Sequence, residues 1–253
     1  MMLLAVAAAF RIVSLAPALT EDLYAVGAGR QVVGVDANSN RPAAASHLPR
    51  VGVMREISAE AVLALHPDLV VGDPYEARAL TDIGRGGVRT ETLPVDDLRG
   101  DFAAIERLGA LTGHLRSAHD LHLRIARRMS SLAARAKRYR ALTAFMALGT
   151  SDIRTAGAGT FIDELFSLAN LRNVAGDVHL LWPRYSEERL VMQQPAVLIL
   201  PSPHPPLAGA PWERLDAVRD GRVLDVDEDD LLRPGPRIAE VLERIIAGTM
   251  RWR

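Results

Sequence analysis

Three features of this 253-residue chain predict an α/β protein of two Rossmann-like lobes, each with a parallel sheet, joined by one long backbone helix. Short apolar runs alternate with amphipathic stretches in both halves, the pattern of parallel strands covered by helices. A long stretch free of proline and glycine separates the halves. A Ser-x-Glu helix start followed by proline occurs once on each side of it.

The dividing stretch is Leu115–Arg140, about 26 residues without either breaker in a chain that has 15 prolines and 19 glycines. Apolar residues recur at Leu115, Ala118, Leu121, Ile125, Met129, Leu132, Ala133, Ala136 and Tyr139, close to the helical period. A helix of this length reaches roughly 35–40 Å. Its outer face is basic, with Arg116, Arg124, Arg127, Arg128, Arg135, Lys137, Arg138 and Arg140 against Asp120. It is read as a strut, which sets the expected domains: 10–113 an N-terminal α/β lobe, 114–140 the linking helix and 141–253 a C-terminal α/β lobe.

Composition narrows the function. Hydrophobic residues make up 49% of the chain, charged residues 24%, and the formal net charge is −1, giving no general case for nucleic acid. The chain has no cysteine, which excludes disulfides, thiol catalysis and cysteine–zinc sites. The first residues, Met1–Phe10, resemble the end of a signal-peptide apolar region and are read as the remnant (1–9) of a truncated export signal. The alternative is that they extend the first strand. No stretch carries the ~20 apolar residues of a membrane-spanning helix.

Phe10–Leu15 reads as a buried strand ending at Ala16-Pro17. Thr20 is expected to cap the next helix, with Glu21 and Asp22 in its first turn. Strands follow at Gln31–Val35, Asp68–Gly72 and Val88–Leu93, with helices at Ser58–Leu65, Glu76–Ile83 and Asp97–Leu111. Beyond the strut, strands are expected at Leu142–Leu148, Ile153–Ala156, Ala196–Pro201 and Arg222–Val226. Helices are expected at Thr160–Ala169 with Thr160 as cap, at Ser186–Met192, at Trp212–Val218 and at Pro236–Met250.

The two halves echo each other. Ser58-Ala59-Glu60 leads to Pro67 and Leu69-Val70-Val71, and Ser186-Glu187-Glu188 leads to Pro195 and Val197-Leu198-Ile199. In both, glutamate follows serine by two residues and proline by nine. Each serine suits a cap and each proline a helix stop. Capping chemistry accounts for either copy; matched positions in two halves favour duplication.

Arg11-Ile12-Val13-Ser14-Leu15-Ala16-Pro17, Thr20-Glu21, Gly27-Ala28-Gly29 and Val32-Val33-Gly34-Val35 resemble the opening of the helical-backbone (class III) substrate-binding proteins. These serve ABC importers of cobalamin, haem and iron–siderophores. The likeness continues through Val51-Gly52, Ser58-x-Glu60, Pro67-Asp68-Leu69-Val70, Ala156-Gly157-x-Gly159-Thr160-Phe161-Ile162, Asn173-Val174-Ala175, Ser186-x-Glu188 and Arg233-Pro234-Gly235-Pro236-Arg237-Ile238. It covers essentially the whole chain from Phe10.

The resemblance implies a binding protein that is not an enzyme. It would hold cobalamin or a related corrinoid in the cleft between its lobes and deliver it to an ABC permease dimer. An iron–siderophore or haem ligand is the alternative. It implies docking through Glu60 and Glu188, and a two-point acidic register suits a two-fold partner. Ligand crevices of open α/β sheets lie at the carboxyl ends of strands, which nominates Pro17, Asn40, Arg41, Tyr75, Trp182, Tyr185, Arg233 and Arg237. Trp182 resembles the tryptophan that cobalamin binders set against the corrin ring, and the arginines suit bidentate contacts to oxygens. The 36–42 loop lacks the aromatic frequent in the family, and aromatic residues are only 5% of the chain, so a more polar pocket is expected. A periplasmic or extracytoplasmic monomer is expected, with no cofactor, no metal and no nucleic-acid partner.

Other chemistries fit less well. His119 and His122 lie three apart near His114, a metal-ligand spacing, but arginine-rich surroundings repel cations and a solvated face is expected. The basic face suits anionic lipid or nucleic acid, yet is read as a solvent-facing back. Asp225–Asp230 lacks the glycine and glutamate of a calcium loop. A two-lobed enzyme such as a nucleotide-sugar transferase or dehydrogenase would need a glycine-rich cradle where Ala16-Pro17-Ala18-Leu19 stands.

Overall fold

The computed structural model describes residues Phe10–Arg253; the signal-like stretch 1–9 lies outside the described residues. The chain divides into two compact units. The first runs to Val95 and takes up Gly100–His122; the second is Asp96–Arg99 with Leu123–Arg253.

The first unit holds β1 (Ile12–Ser14), α1 (Pro17–Ala25), β2 (Val32–Val35), α2 (Ala59–Leu63), β3 (Leu69–Gly72), α3 (Ala77–Arg85), β4 (Arg89–Thr92) and most of α4 (Leu98–Thr112). Its strands are all parallel, in the order β2-β1-β3-β4. β1 and β3 are buried throughout, as expected of strands covered on both faces. One core cluster packs Val13, Leu15, Val51, Val62, Val70, Leu80 and Ile83. A small antiparallel ribbon, Gly52–Val53 against Glu56–Ile57, stands apart from the sheet.

The long helix α5 (Leu115–Ala136) belongs to both units, changing over after His122. Ala118, Leu121, Ile125, Met129, Leu132, Ala133 and Ala136 are buried, the stripe that the sequence period predicts. It stops at Ala136 rather than Arg140, and Lys137–Tyr139 follow as turns.

The second unit contains β5 (Leu142–Met146), α6 (Phe161–Leu168), β6 (Leu171–Asn173), α7 (Glu187–Gln193), β7 (Val197–Ser202), α8 (Asp216–Arg219), β8 (Val223–Asp227), α9 (Glu228–Leu231) and α10 (Ile238–Thr249). Its parallel order is β8-β7-β5-β6. In both units the first strand therefore lies between the second and third, with the fourth beyond the third. The core packs Phe145, Ile153, Leu190, Leu198, Leu200 and Leu215 around Trp212, whose indole N–H donates to the Thr150 carbonyl at 2.9 Å.

Several sequence expectations are corrected. Thr20 does not cap α1: Pro17, with its φ already set for a helix, starts α1 with Ala16 at the cap, four residues before the expected one. Glu21 and Asp22 are thereby carried inside the helix and buried. Ile153–Ala156 forms isolated bridges, not a sheet strand, while the three-residue β6 and the four-residue α9 went unpredicted.

The echo is structural as well. Ser58 Oγ accepts from the N–H of Ala61 at 3.1 Å and Ser186 Oγ from that of Arg189 at 3.2 Å. Both copies put a left-handed residue before the proline, His66 (φ 47°) and Gln194 (φ 42°). Gln194 is itself the left-handed cap of α7, whereas α2 is closed by right-handed Ala64 two residues before His66; in both the proline prevents the helix from resuming.

Candidate functional site

In the first unit the chain leaves neighbouring strands β1 and β3 in opposite directions, the place where open α/β sheets hold ligands. Pro17, half-buried at the start of α1, stands there because β1 ends three residues before it, at Ser14. The loop after β2 is tied down. Ser39 Oγ donates to Asp36, Thr20 Oγ1 bridges Ser14 and Ser39 at 2.8 Å each, and Arg50 donates to the carbonyls of Asp36 (2.9 Å) and Ser39 (2.7 Å). This knot sets exposed Asn40 and half-buried Arg41 on a fixed loop. After β3, Asp73 Oδ1 accepts from the N–H of Tyr75 at 2.8 Å. The Arg55 guanidinium lies 5.9 Å from the Tyr75 ring centroid. The buried Glu76 accepts from the N–H of Arg55, and burial pushes its carboxyl above the ordinary range despite that bond. The ribbon next to Arg55 exposes Val53 (41%) and Met54 (52%), an apolar tip that sequence reasoning missed.

In the second unit, Tyr185 N–H donates to Ile153 O, Thr155 N–H to Pro183 O, Gly157 N–H to Leu181 O and Ala158 N–H to Val178 O, at 2.9–3.1 Å. This backbone ribbon requires Gly157, where a Cβ would stand 2.0 Å from the Leu180 carbonyl oxygen. It presents Leu180 (66% exposed), Leu181 (37%) and half-buried Trp182, whose ring meets Phe161 edge-on at 6.2 Å between centroids. Leu180 and Leu181 were also missed. Their signal was an apolar run inside a stretch without strand or helix periodicity.

The other nominated residues are otherwise engaged. Tyr185 belongs to the core: its ring packs on Phe145 at 4.9 Å, its hydroxyl donates to Val174 O at 3.4 Å, and 6% of it is exposed. Arg233 pairs with Asp229, and Arg237 with Asp230, which also takes Arg244 at 2.8 Å. The acidic run thus serves as counter-charge for arginines, and its Asp227 caps α9. A groove of about 750 Å³ beside α6 and β6, lined by Asp163, Glu164, Asn173 and Asp177, includes none of the nominated ligand residues. It is open and polar, and the strand-end loops remain the better candidate surfaces.

Glu60 and Glu188 are both exposed, each at the second position of a serine-capped helix. The Ser186 hydroxyl donates to Glu188 at 2.7 Å and holds its carboxyl below the ordinary range. The strut histidines are not simply solvated: His119 and His122 both meet Glu106 Oε1, at 3.1 and 2.9 Å, and His122 stacks on Phe102. Among the described residues no cluster of three or more His, Asp or Glu is arranged to hold a metal, and no helix is long and apolar enough to cross a membrane.

Two parallel-sheet units of one topology, carrying exposed apolar groups on strand-end loops, define a two-unit α/β solute-binding protein. Residues 12–229 match the model of the periplasmic binding proteins, and the chain belongs to that family. It is 30% identical over 246 residues to a vitamin B12-binding protein of Vibrio cholerae serotype O1, covering 93% of this chain and 87% of that one. Among solved structures it is similar to the periplasmic vitamin B12-binding protein BtuF of Vibrio cholerae, with a TM-score of 0.84, 26% identity and coverage of 96% and 97%. It is also similar to the periplasmic haem-binding protein RhuT of Roseiflexus sp. RS-1, with a TM-score of 0.85, 25% identity and coverage of 96% and 99%.

Proposed function

We propose that this protein captures cobalamin or a related corrinoid outside the cytoplasm and hands it, chemically unchanged, to an ABC importer. The observation that carries the reading is the apolar run of exposed Leu180 and Leu181 with half-buried Trp182, held by its backbone ribbon at a strand-end loop. A bulky macrocycle with apolar faces needs such a surface, and a tryptophan supplies a large contact with few rotamers to freeze. In the first unit Val53, Met54 and Tyr75 supply comparable groups, with Pro17, Asn40 and Arg41 on the adjoining loops. The relation to vitamin B12-binding proteins supports the same ligand.

A haem or iron–siderophore ligand is the second reading, favoured by the likeness to a haem-binding protein. The partner is a permease dimer gripped through Glu60 and Glu188; the binding protein works as a monomer, without a cofactor of its own. Titration of the purified protein with cobalamin, haemin and ferric siderophores, followed by tryptophan quenching, tests this. Saturable one-to-one quenching by cobalamin at the lowest concentration is expected. Preference for haemin or a siderophore replaces the ligand, and consumption of any of them replaces the binding role with catalysis.

A further inference from the structure

We propose that the carboxyl-terminal end of α5, together with the adjacent Met250–Arg253 segment, is a docking surface for an anionic phospholipid membrane. The inference rests on the extracytoplasmic role proposed above, which makes a lipid surface the polyanion within reach. Between Leu121 and Ser151 the sequence has seven Arg and Lys residues and no Asp or Glu, although the net charge of the chain is −1. The remainder therefore carries a net charge of −8, and this stretch is a local excess of positive charge. On α5, Arg124, Arg127 and Arg135 follow one exposed face across ~16 Å, opposite buried Ile125, Met129 and Leu132. Exposed Lys137, Arg138 and Arg140 extend the charge past the helix end. The carboxylates facing α5 from α10, Glu240 and Glu243, are both taken by Arg128.

Amphipathic groups stand among these cations. Tyr139 is 39% exposed and Met250 36%. The Arg251 guanidinium lies 4.5 Å from the centroid of the half-buried Trp252 ring. The two segments meet around the end of α6: Asn170 donates to Tyr139 O at 2.9 Å, and Arg253 donates to the neighbouring Ala169 O at 2.6 Å. Tryptophan and tyrosine beside basic residues suit the headgroup layer, where an apolar ring body and a charged or polar edge are both accommodated. Cations also favour helix carboxyl ends, but capping alone gives no reason for exposed Tyr139 and Met250 or for half-buried Trp252 beside them.

Flotation of the full chain with phosphatidylcholine vesicles, with and without phosphatidylglycerol, tests the proposal. Binding only to phosphatidylglycerol vesicles is expected, weakening with salt and accompanied by a blue shift of tryptophan emission that Trp252→Phe removes. Joint replacement of Arg135, Lys137, Arg138 and Arg140 by glutamine should cut partitioning at least about tenfold. Replacing the three arginines by lysine should preserve it, which separates lost charge from a fold defect. Equal binding to both vesicle types, undiminished binding of the glutamine variant, or displacement by duplex DNA at equal phosphate would overturn the lipid assignment. Cobalamin titration of the same preparations distinguishes failure here from failure of the proposed ligand, since no residue altered is a nominated ligand contact.

Discussion

Asp22 is fully buried on α1, both of its oxygens lack a hydrogen-bond partner among the described residues, and burial with Asp101 and Glu21 beside it pushes its carboxyl well above the ordinary 3.8. The folded protein therefore keeps a proton that the unfolded chain releases. Stability contributed by that proton is lost as pH rises from the unfolded value toward the folded one, by up to about 1.4 kcal/mol per pH unit. Asp22→Asn, which resembles the protonated form, should raise the melting temperature by an amount that grows from about pH 4 upward. A pH-independent difference in thermal unfolding would reject this account. Trp182 offers a test of the ligand: Trp182→Ala should weaken cobalamin binding at least tenfold, about 1.4 kcal/mol, and an unchanged dissociation constant by titration would remove Trp182 from the site. Legibility differed between these residues. Trp182 was nominated from its strand-end loop and its resemblance to the corrin-facing tryptophan of cobalamin binders, whereas the inward turn of Asp22 was hidden because a helix start was placed four residues late.

At the scale of elements, capping chemistry was the most readable signal. Ser58, Thr160 and Ser186 all cap as expected, since a cap depends only on residues within one turn. The ribbon carrying Leu180–Trp182 is the opposite case, because its partners lie 20 or more residues away and Gly157 alone hints at the close approach. Gly157→Ala should cost about 1–3 kcal/mol or more, because the added carbon meets backbone rather than a yielding side chain. Chemical denaturation measures that loss, and ligand affinity should fall with it as the apolar run is displaced. A variant of native stability would mean that the ribbon tolerates separation at this point.

At the scale of the whole molecule, both units share one strand order and place an exposed glutamate, Glu60 or Glu188, at the second position of a serine-capped helix. Glu60→Ala with Glu188→Ala should leave cobalamin affinity intact and abolish uptake in cells dependent on this protein. Undiminished uptake by the double variant would end the docking assignment.

The alternation of strands and helices, the long helix, the caps at Ser58, Thr160 and Ser186 and the duplicated Ser-x-Glu motif were legible in the residues alone, because each follows from spacing or from contacts within a turn or two. Which side chains remain available followed from packing. Tyr185 goes to the core, Arg233 and Arg237 to Asp229 and Asp230, and Asp22 to a buried carboxyl cluster, while Val53, Met54, Leu180 and Leu181 stay exposed. The physical reason is that burial and ion pairing depend on how elements pack, and one misplaced helix start or one strand of three residues is enough to redirect a side chain.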